Sequence, residues 1–206
     1  MRLVVATRSA HKLREIREIL AGLPGLEVID LAEAGVPYSE EEEELEPFET
    51  FEENARSKAV YFQAKTGHPT VADDSGLEVE ALDGAPGVRT KRFAPGPGLE
   101  GKARDRANNT HLLKLLGTRP PRERRARYVC VAALAWGHRP VEVFRGEAVG
   151  TVLETPRGGG GFGYDPIILD EDTGLSFAEL TPEEKNTKSH RGRAFRALGK
   201  ALQERL

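Results

Sequence analysis

Thr50-Phe51-Glu52-Glu53-Asn54-Ala55 opens a stretch that closes on Gly67 and then runs Thr70-Val71-Ala72-Asp73-Asp74-Ser75-Gly76-Leu77. Thr50 with Glu53 makes a capping box, Phe51, Ala55, Ala59 and Phe62 follow one helical face, and Gly67 is the stop. Thr70 to Ala72 then leads as a strand into an acidic elbow at Asp73 and Asp74, and Leu77 and Val79 alternate as a strand should. Gly84-Ala85-Pro86-Gly87 turns the chain. Helix and strand signals this close together predict an α/β protein.

The same grammar extends outward. Leu3 to Ala6 is a short apolar run, and after Ser9 the apolar positions become Leu13, Ile16, Ile19 and Leu20, the spacing of an amphipathic helix. Leu26 to Leu31 predicts a second strand, followed by loop punctuation at Gly35 and Pro37 and the acidic run Glu40 to Glu46. Downstream, a helix is predicted from Lys102 to Leu116, ending at Gly117. A strand is predicted from Tyr128 to Trp136, turned by Gly137-His138-Arg139-Pro140 into Val141 to Phe144, and another from Ile167 to Leu169. Thr181-Pro182-Glu183-Glu184 is an N-cap, a proline at the first helical position and a capping glutamate, and a last helix opens near Ser189. With helices interleaved among strands and a hairpin in the second half, the expectation is a mixed β-sheet with helices on its faces.

At 206 residues the chain can bury one substantial core without staples, and it reads as a single domain. The lone cysteine, Cys130, lies in an apolar run and reads as a small buried hydrophobe, which fits a reducing, cytoplasmic setting. No stretch approaches the roughly 20 apolar residues of a membrane span, and the first apolar run is too short for a signal-peptide core. A net charge of −3 with both signs spread along the chain speaks against nucleic-acid binding. The arginine-rich Arg119 to Arg127 carries no aromatic for base stacking and reads as a solvated connection before a strand.

Three segments carry chemistry. A loop between a first strand and a first helix presents free N–H groups and the positive end of a helix dipole, so Thr7-Arg8-Ser9-Ala10-His11-Lys12 can cradle phosphate, with Lys12 adding a point charge. Asp73, Asp74 and a glutamate of the acidic run offer the oxygen ligands that Mg²⁺ takes, one or two carboxylates beside substrate phosphates. Adjacent residues of a strand face opposite ways, so only one of the two aspartates readily faces a given ligand, and the period does not choose between them. Gly158-Gly159-Gly160-Gly161-Phe162-Gly163-Tyr164-Asp165 combines bare backbone, costly in entropy unless close approach is required, with two rings that can line a base site. Lys185, His190 and Arg191 sit at or near helix starts where they can contact a nucleotide. Asp74-Ser75-Gly76 also fits an aspartic protease half-site, but no second copy exists to share its proton, and a serine hydrolase lacks its Gly-x-Ser-x-Gly elbow.

In this order the pieces resemble the inosine triphosphate pyrophosphatase family, which hydrolyses non-standard purine nucleoside triphosphates. The similarity rests on Ala72-Asp73-Asp74-Ser75-Gly76-Leu77, Gly84-Ala85-Pro86-Gly87-Val88, Gly160 to Pro166, Glu184-Lys185 and Ser189-His190-Arg191-Gly192, with support from Ala6-Thr7, Lys12, Thr50-Phe51, Glu53 to Ala55 and Lys58-Ala59. The resemblance implies a long, bent, mixed sheet flanked by helices in two lobes with an active-site cleft, a homodimer, and Mg²⁺-dependent cleavage to monophosphate and pyrophosphate. It implies Asp74 as general base and metal ligand, and Glu46 as second ligand, with Glu43 and Glu44 as substitutes. It places phosphate on Thr7, Arg8, Ser9, Ala10, His11, Lys12 and Ser75, and base and sugar on Phe162, Gly163, Tyr164, Asp165, Lys185, His190 and Arg191. Ser9 stands where the family usually has asparagine, and His11 where it commonly has glycine. Two alternatives remain, a related pyrophosphatase with another modified nucleotide and a non-catalytic nucleotide-binding module.

Overall fold

The computed structural model describes Met1–Arg205. Its strands are β1 (Arg2–Val5), β2 (Glu27–Asp30), β3 (Thr70–Val79), β4 (Arg125–Ala135), β5 (Glu142–Val152), β6 (Ile168–Asp170) and β7 (Leu175–Ser176). The helices are α1 (Ala10–Leu20), α2 (Phe51–Thr66), α3 (Gly101–Leu116), α4 (Pro182–Lys188) and α5 (His190–Gln203). The strands form a seven-stranded sheet in the order β2-β1-β3-β4-β5-β6-β7. β1 runs parallel to β2, with Val4 opposite Ile29, and parallel to β3, with Val5 opposite Val71. β5–β6 and β6–β7 are antiparallel, so the sheet is mixed, as the order of sequence signals predicts. Among the described residues no helix is long and apolar enough to cross a membrane.

The chain divides into two compact units. The first comprises Met1–Asp74, Cys130–Gly146 and the chain from His190 onward, and the second comprises Ser75–Val129 and Glu147–Ser189. Each has its own core. In the first, Leu3, Val5, Ile16, Leu20, Phe195 and Leu198 pack together, and α1 lies against α5. In the second, Leu77, Leu112, Leu116, Tyr128, Ile167 and Phe177 do so, with the Tyr128 and Phe177 rings edge-to-face at 5.4 Å.

Three differences from the sequence reading have identifiable causes. The elbow at Asp73 and Asp74 is no break: β3 is one ten-residue strand, and both aspartates are buried within it. Strand interiors exclude carboxylates because desolvation is costly, and here cationic and amide partners offset that cost. β5 continues well past Phe144 through Gly146, Ala148 and Gly150, residues of weak strand propensity. A Cβ at Gly146 would lie 2.2 Å from the carbonyl oxygen of His190, and one at Gly150 would lie 2.4 Å from that of Leu169. The glycines therefore allow close backbone approach. Finally, Arg124 is buried, not solvated, because its guanidinium satisfies the carbonyls of Gly117, Val152 and Leu153 at 2.7 to 3.0 Å.

Candidate active site

In the first unit the loop from Thr7 to Lys12 is built by local capping. Ser9 is the N-cap of α1 and accepts from the Lys12 amide at 3.4 Å, while Thr7 Oγ1 accepts from the Ser9 amide at 3.2 Å. Serine therefore fulfils the cap at the position where the family usually has asparagine. Arg8 is turned to another task. It clasps Glu42 through Nε and Nη2 at 2.9 and 2.6 Å and reaches the carbonyls of Val36 and Pro37. That clasp anchors a 3₁₀ turn, Glu40–Glu44, which Ser39 and Glu42 close with a capping box.

β3 presents its two aspartates to different partners, as the two-residue period requires. Asp73, 2% exposed, receives Lys12 of α1 at 3.0 Å and Arg191 of α5 at 3.4 Å. Burial opposes its ionisation, but the fields of Lys12, Arg191 and Lys58 outweigh it and hold the carboxyl well below the usual range. Arg191 also binds Glu15 at 2.6 Å, so α1, α5 and β3 meet in one buried ionic knot. Cys130 is buried, with its thiol 3.8 Å from Asp73, and burial pushes that thiol up, in keeping with an inert core residue.

Asp74 has α2 for its neighbour. Asn54 Nδ2 donates to its Oδ2 at 3.1 Å and also holds the Phe48 carbonyl at the same distance. Burial raises the Asp74 carboxyl; Lys58 and Lys12 partly offset this, and Glu46 reinforces it. Lys58 pairs with Glu46 and donates to the Asp73 carbonyl at 2.6 Å. Burial favours its neutral form, but Glu46, Asp74 and Asp73 prevail and raise its pKa. Asp74, Lys58 and Glu46 are thus one electrostatic unit. Glu43 is bonded to the Tyr38 hydroxyl at 3.0 Å. Among the described residues no group of three or more His, Cys, Asp or Glu side chains could hold a metal ion alone. A hard cation that draws most of its ligands from water and substrate phosphate does not need one.

In the second unit the glycine-rich loop is folded around Asp165. Its Oδ2 accepts from the Phe162 amide at 2.9 Å and from Lys185 Nζ at 2.7 Å, and its Oδ1 accepts from the Tyr128 hydroxyl at 3.2 Å. A Cβ at Gly161, where φ is +66°, would lie 2.1 Å from that same Oδ2, so glycine is required there twice over. Gly158 and Gly160 lie similarly close to the Ala178 backbone. Lys185 Nζ stands 4.6 Å from the Phe162 ring centroid, a cation–π contact that fixes both groups. Tyr164 is core: it is 4% exposed and its hydroxyl donates to the Thr90 carbonyl at 2.8 Å. Phe162 is the half-buried aromatic of the loop.

The structure therefore gathers Lys12, Asp74, Glu46, His190 and Arg191 in one unit, and Phe162 to Asp165 with Lys185 in the other, where Ser75 follows directly on Asp74. Asp165 and Arg191, which the resemblance places against base and sugar, stand in buried ion pairs, Asp165 with Lys185 and Arg191 with Glu15 and Asp73. Asn54 and Lys58 figure in the sequence only as supporting residues of the resemblance, without a role, and Glu15 does not figure at all. The signal that could have found Glu15 is its place on the apolar side of α1, one residue before Ile16.

The chain matches the model of the Ham1 family over residues 3–201. It is 43% identical to a dITP/XTP pyrophosphatase of Thermus thermophilus, covering 99% of this chain and 93% of that protein. It is 46% identical to the dITP/XTP pyrophosphatase of Geobacter sulfurreducens, covering 96% and 94%. Among solved structures, a HAM1 protein from Coxiella burnetii superposes with a TM-score of 0.84 at 36% identity, covering 99% of each chain.

Proposed function

Because the chain belongs to the Ham1 family, we propose that it hydrolyses non-standard purine nucleoside triphosphates, those of inosine, deoxyinosine and xanthosine, to the monophosphate and pyrophosphate. The observation that carries this reading is Asp74, a buried carboxylate whose proton affinity is raised, in the same unit as a capped helix start and Lys12. A carboxylate in that condition is a better proton acceptor for water than an exposed one. Lys12 and the first amides of α1 are assigned to the phosphate oxygens, where they oppose the charge that develops in phosphoryl transfer. Lys58 keeps Glu46 and the Asp73 carbonyl together, and the knot of Arg191, Glu15 and Asp73 holds the strand that carries Asp74.

Mg²⁺ is proposed as the cofactor. The donor set fits it: Asp74 and Glu46 are hard oxygen ligands near enough to feel each other's charge. Bound by Asp74 and Glu46, the ion would neutralise phosphate charge. Phe162 and Lys185 are assigned to the base, the ring for stacking and the ammonium for donation to the six-position oxygen. A homodimer and a cytoplasmic setting complete the proposal.

An adenine carries an amino group at the six position and would leave such donors unmatched, which is worth about 10²-fold or more in selectivity. The test is kcat/KM for the triphosphates of inosine, xanthosine, adenosine and guanosine with Mg²⁺. Preference for inosine and xanthosine over adenosine is the expected result, and equal values would overturn the base assignment. Lys12→Ala is expected to weaken triphosphate binding about tenfold to a hundredfold, with a smaller effect on the monophosphate, as read by titration calorimetry. Equal losses would remove Lys12 from the phosphate tail.

A further inference from the structure

α3 carries four polar residues at the spacing of one helical face, Arg104, Asp105, Asn108 and Asn109, and all four bond main-chain atoms. Two of them converge on one residue, Gly163, and hold the two peptide groups that flank it. Asp105 Oδ2 accepts the Gly163 amide at 2.9 Å, and Asn109 Nδ2 donates to the Gly163 carbonyl at 3.1 Å. Gly163 has a φ of +62° and lies between Phe162 and Tyr164 in the loop assigned to the base. A residue held at both its donor and its acceptor has lost its freedom to rotate, so one turn of α3, residues i and i+4, sets the direction in which the loop presents Phe162.

A second observation separates this arrangement from ordinary packing. Asn109 is 7% exposed, and its Oδ1 is buried with no hydrogen-bond partner. The amide cannot relieve this by flipping, because Nδ2 must face the Gly163 carbonyl. An orphaned buried acceptor costs stability, so the fold keeps an asparagine there at some expense. The neighbouring pair tightens the same frame: Asn108 Nδ2 and the Tyr164 hydroxyl both donate to the Thr90 carbonyl, at 3.3 and 2.8 Å.

We infer that Asp105 and Asn109 are positioning residues for base selectivity, acting through the backbone of Gly163 on Phe162 and the Lys185 ammonium that sits over its ring. The inference rests on the proposed base-binding role of that loop. A misplacement on the scale of an ångström can cost up to about a hundredfold, and a flat base on a half-buried ring is exposed to that penalty.

The test compares kcat/KM for deoxyinosine and deoxyadenosine triphosphates in the parent protein, Asp105→Ala, Asp105→Asn and Asn109→Ala, with thermal unfolding of each. In both alanine variants the preference for deoxyinosine should fall about tenfold, chiefly through KM. Asp105→Asn, which keeps an oxygen for the Gly163 amide, should recover most of it. If Asp105→Ala does not fold, Asn109→Ala and Asp105→Asn still decide the matter. A lower Tm with the preference kept within about twofold of the parent makes the pair structural only and overturns the inference, while the base-binding reading stands. A parent protein with no preference removes both.

Discussion

Asp74→Asn is expected to lower turnover by about two to four orders of magnitude while Tm stays level or rises. The amide removes the proton acceptor and the charge but almost no volume, and its oxygen can still accept from Asn54 Nδ2. The sign of the stability effect follows from burial. The folded protein disfavours the Asp74 carboxylate, since desolvation and Glu46 outweigh Lys58 and Lys12, so removing that charge removes a strain. Activity and stability therefore move in opposite directions, as at other sites where a fold tolerates an unfavourable group for its chemistry. Pyrophosphate release and a thermal melt read both quantities. Parental turnover in this variant would exclude Asp74 as the base.

Arg191→Met makes the opposite kind of damage. Methionine fills much of the space, but Asp73 and Glu15 are left buried with less positive charge between them. Losing one member of a buried ion pair costs about 3–5 kcal/mol, read as a shift in the urea midpoint. Lys12 still serves Asp73, so most of that cost falls on Glu15. The pH dependence has a definite sign. The folded pKa of Asp73 is depressed, so its stabilisation is complete above about pH 5 and is lost as acid protonates it. In Arg191→Met that loss should be smaller and complete at higher pH than in the parent protein, because its onset is set by the unfolded chain and only its end follows the folded pKa. A midpoint shift worth less than about 1 kcal/mol would mean the knot contributes no more than a surface pair.

What could be read in the sequence was what local rules govern. The Thr50 cap with Gly67, and the box of Thr181 with Glu184, lie within one helical turn or at a terminus; α2 begins and ends where Thr50 and Gly67 place it, and α4 begins where Thr181 does. Local rules also misled. Gly146 and Gly150 argue against a strand, and only the backbone of His190 and Leu169 passing within reach explains why β5 accepts them. Asp73-Asp74 reads as an elbow because a carboxylate in a strand has no visible partner; of the partners of Asp73, Lys12 lies on α1 and Arg191 is 118 residues away.

The candidate site divides along the same line. Asp74, Lys12 and the Phe162 loop announce themselves by residue type and order. Glu15 meets Arg191 across 176 residues, and Asn109 meets Gly163 across 54, so no periodicity could pair them. The sequence also assigns every polar group of a motif to the ligand, and it cannot show that Arg8, Asp165 and Arg191 are bound to other parts of the protein as well. Residues beside a reacting group are as often its support as its contact.

The most direct test of the central proposal is product identity: deoxyinosine triphosphate is incubated with the protein and Mg²⁺, and pyrophosphate, orthophosphate and the nucleotide products are quantified together. The proposal predicts monophosphate and pyrophosphate in equal amounts, with no orthophosphate and no diphosphate. Orthophosphate with the diphosphate, or an unchanged triphosphate, would contradict it.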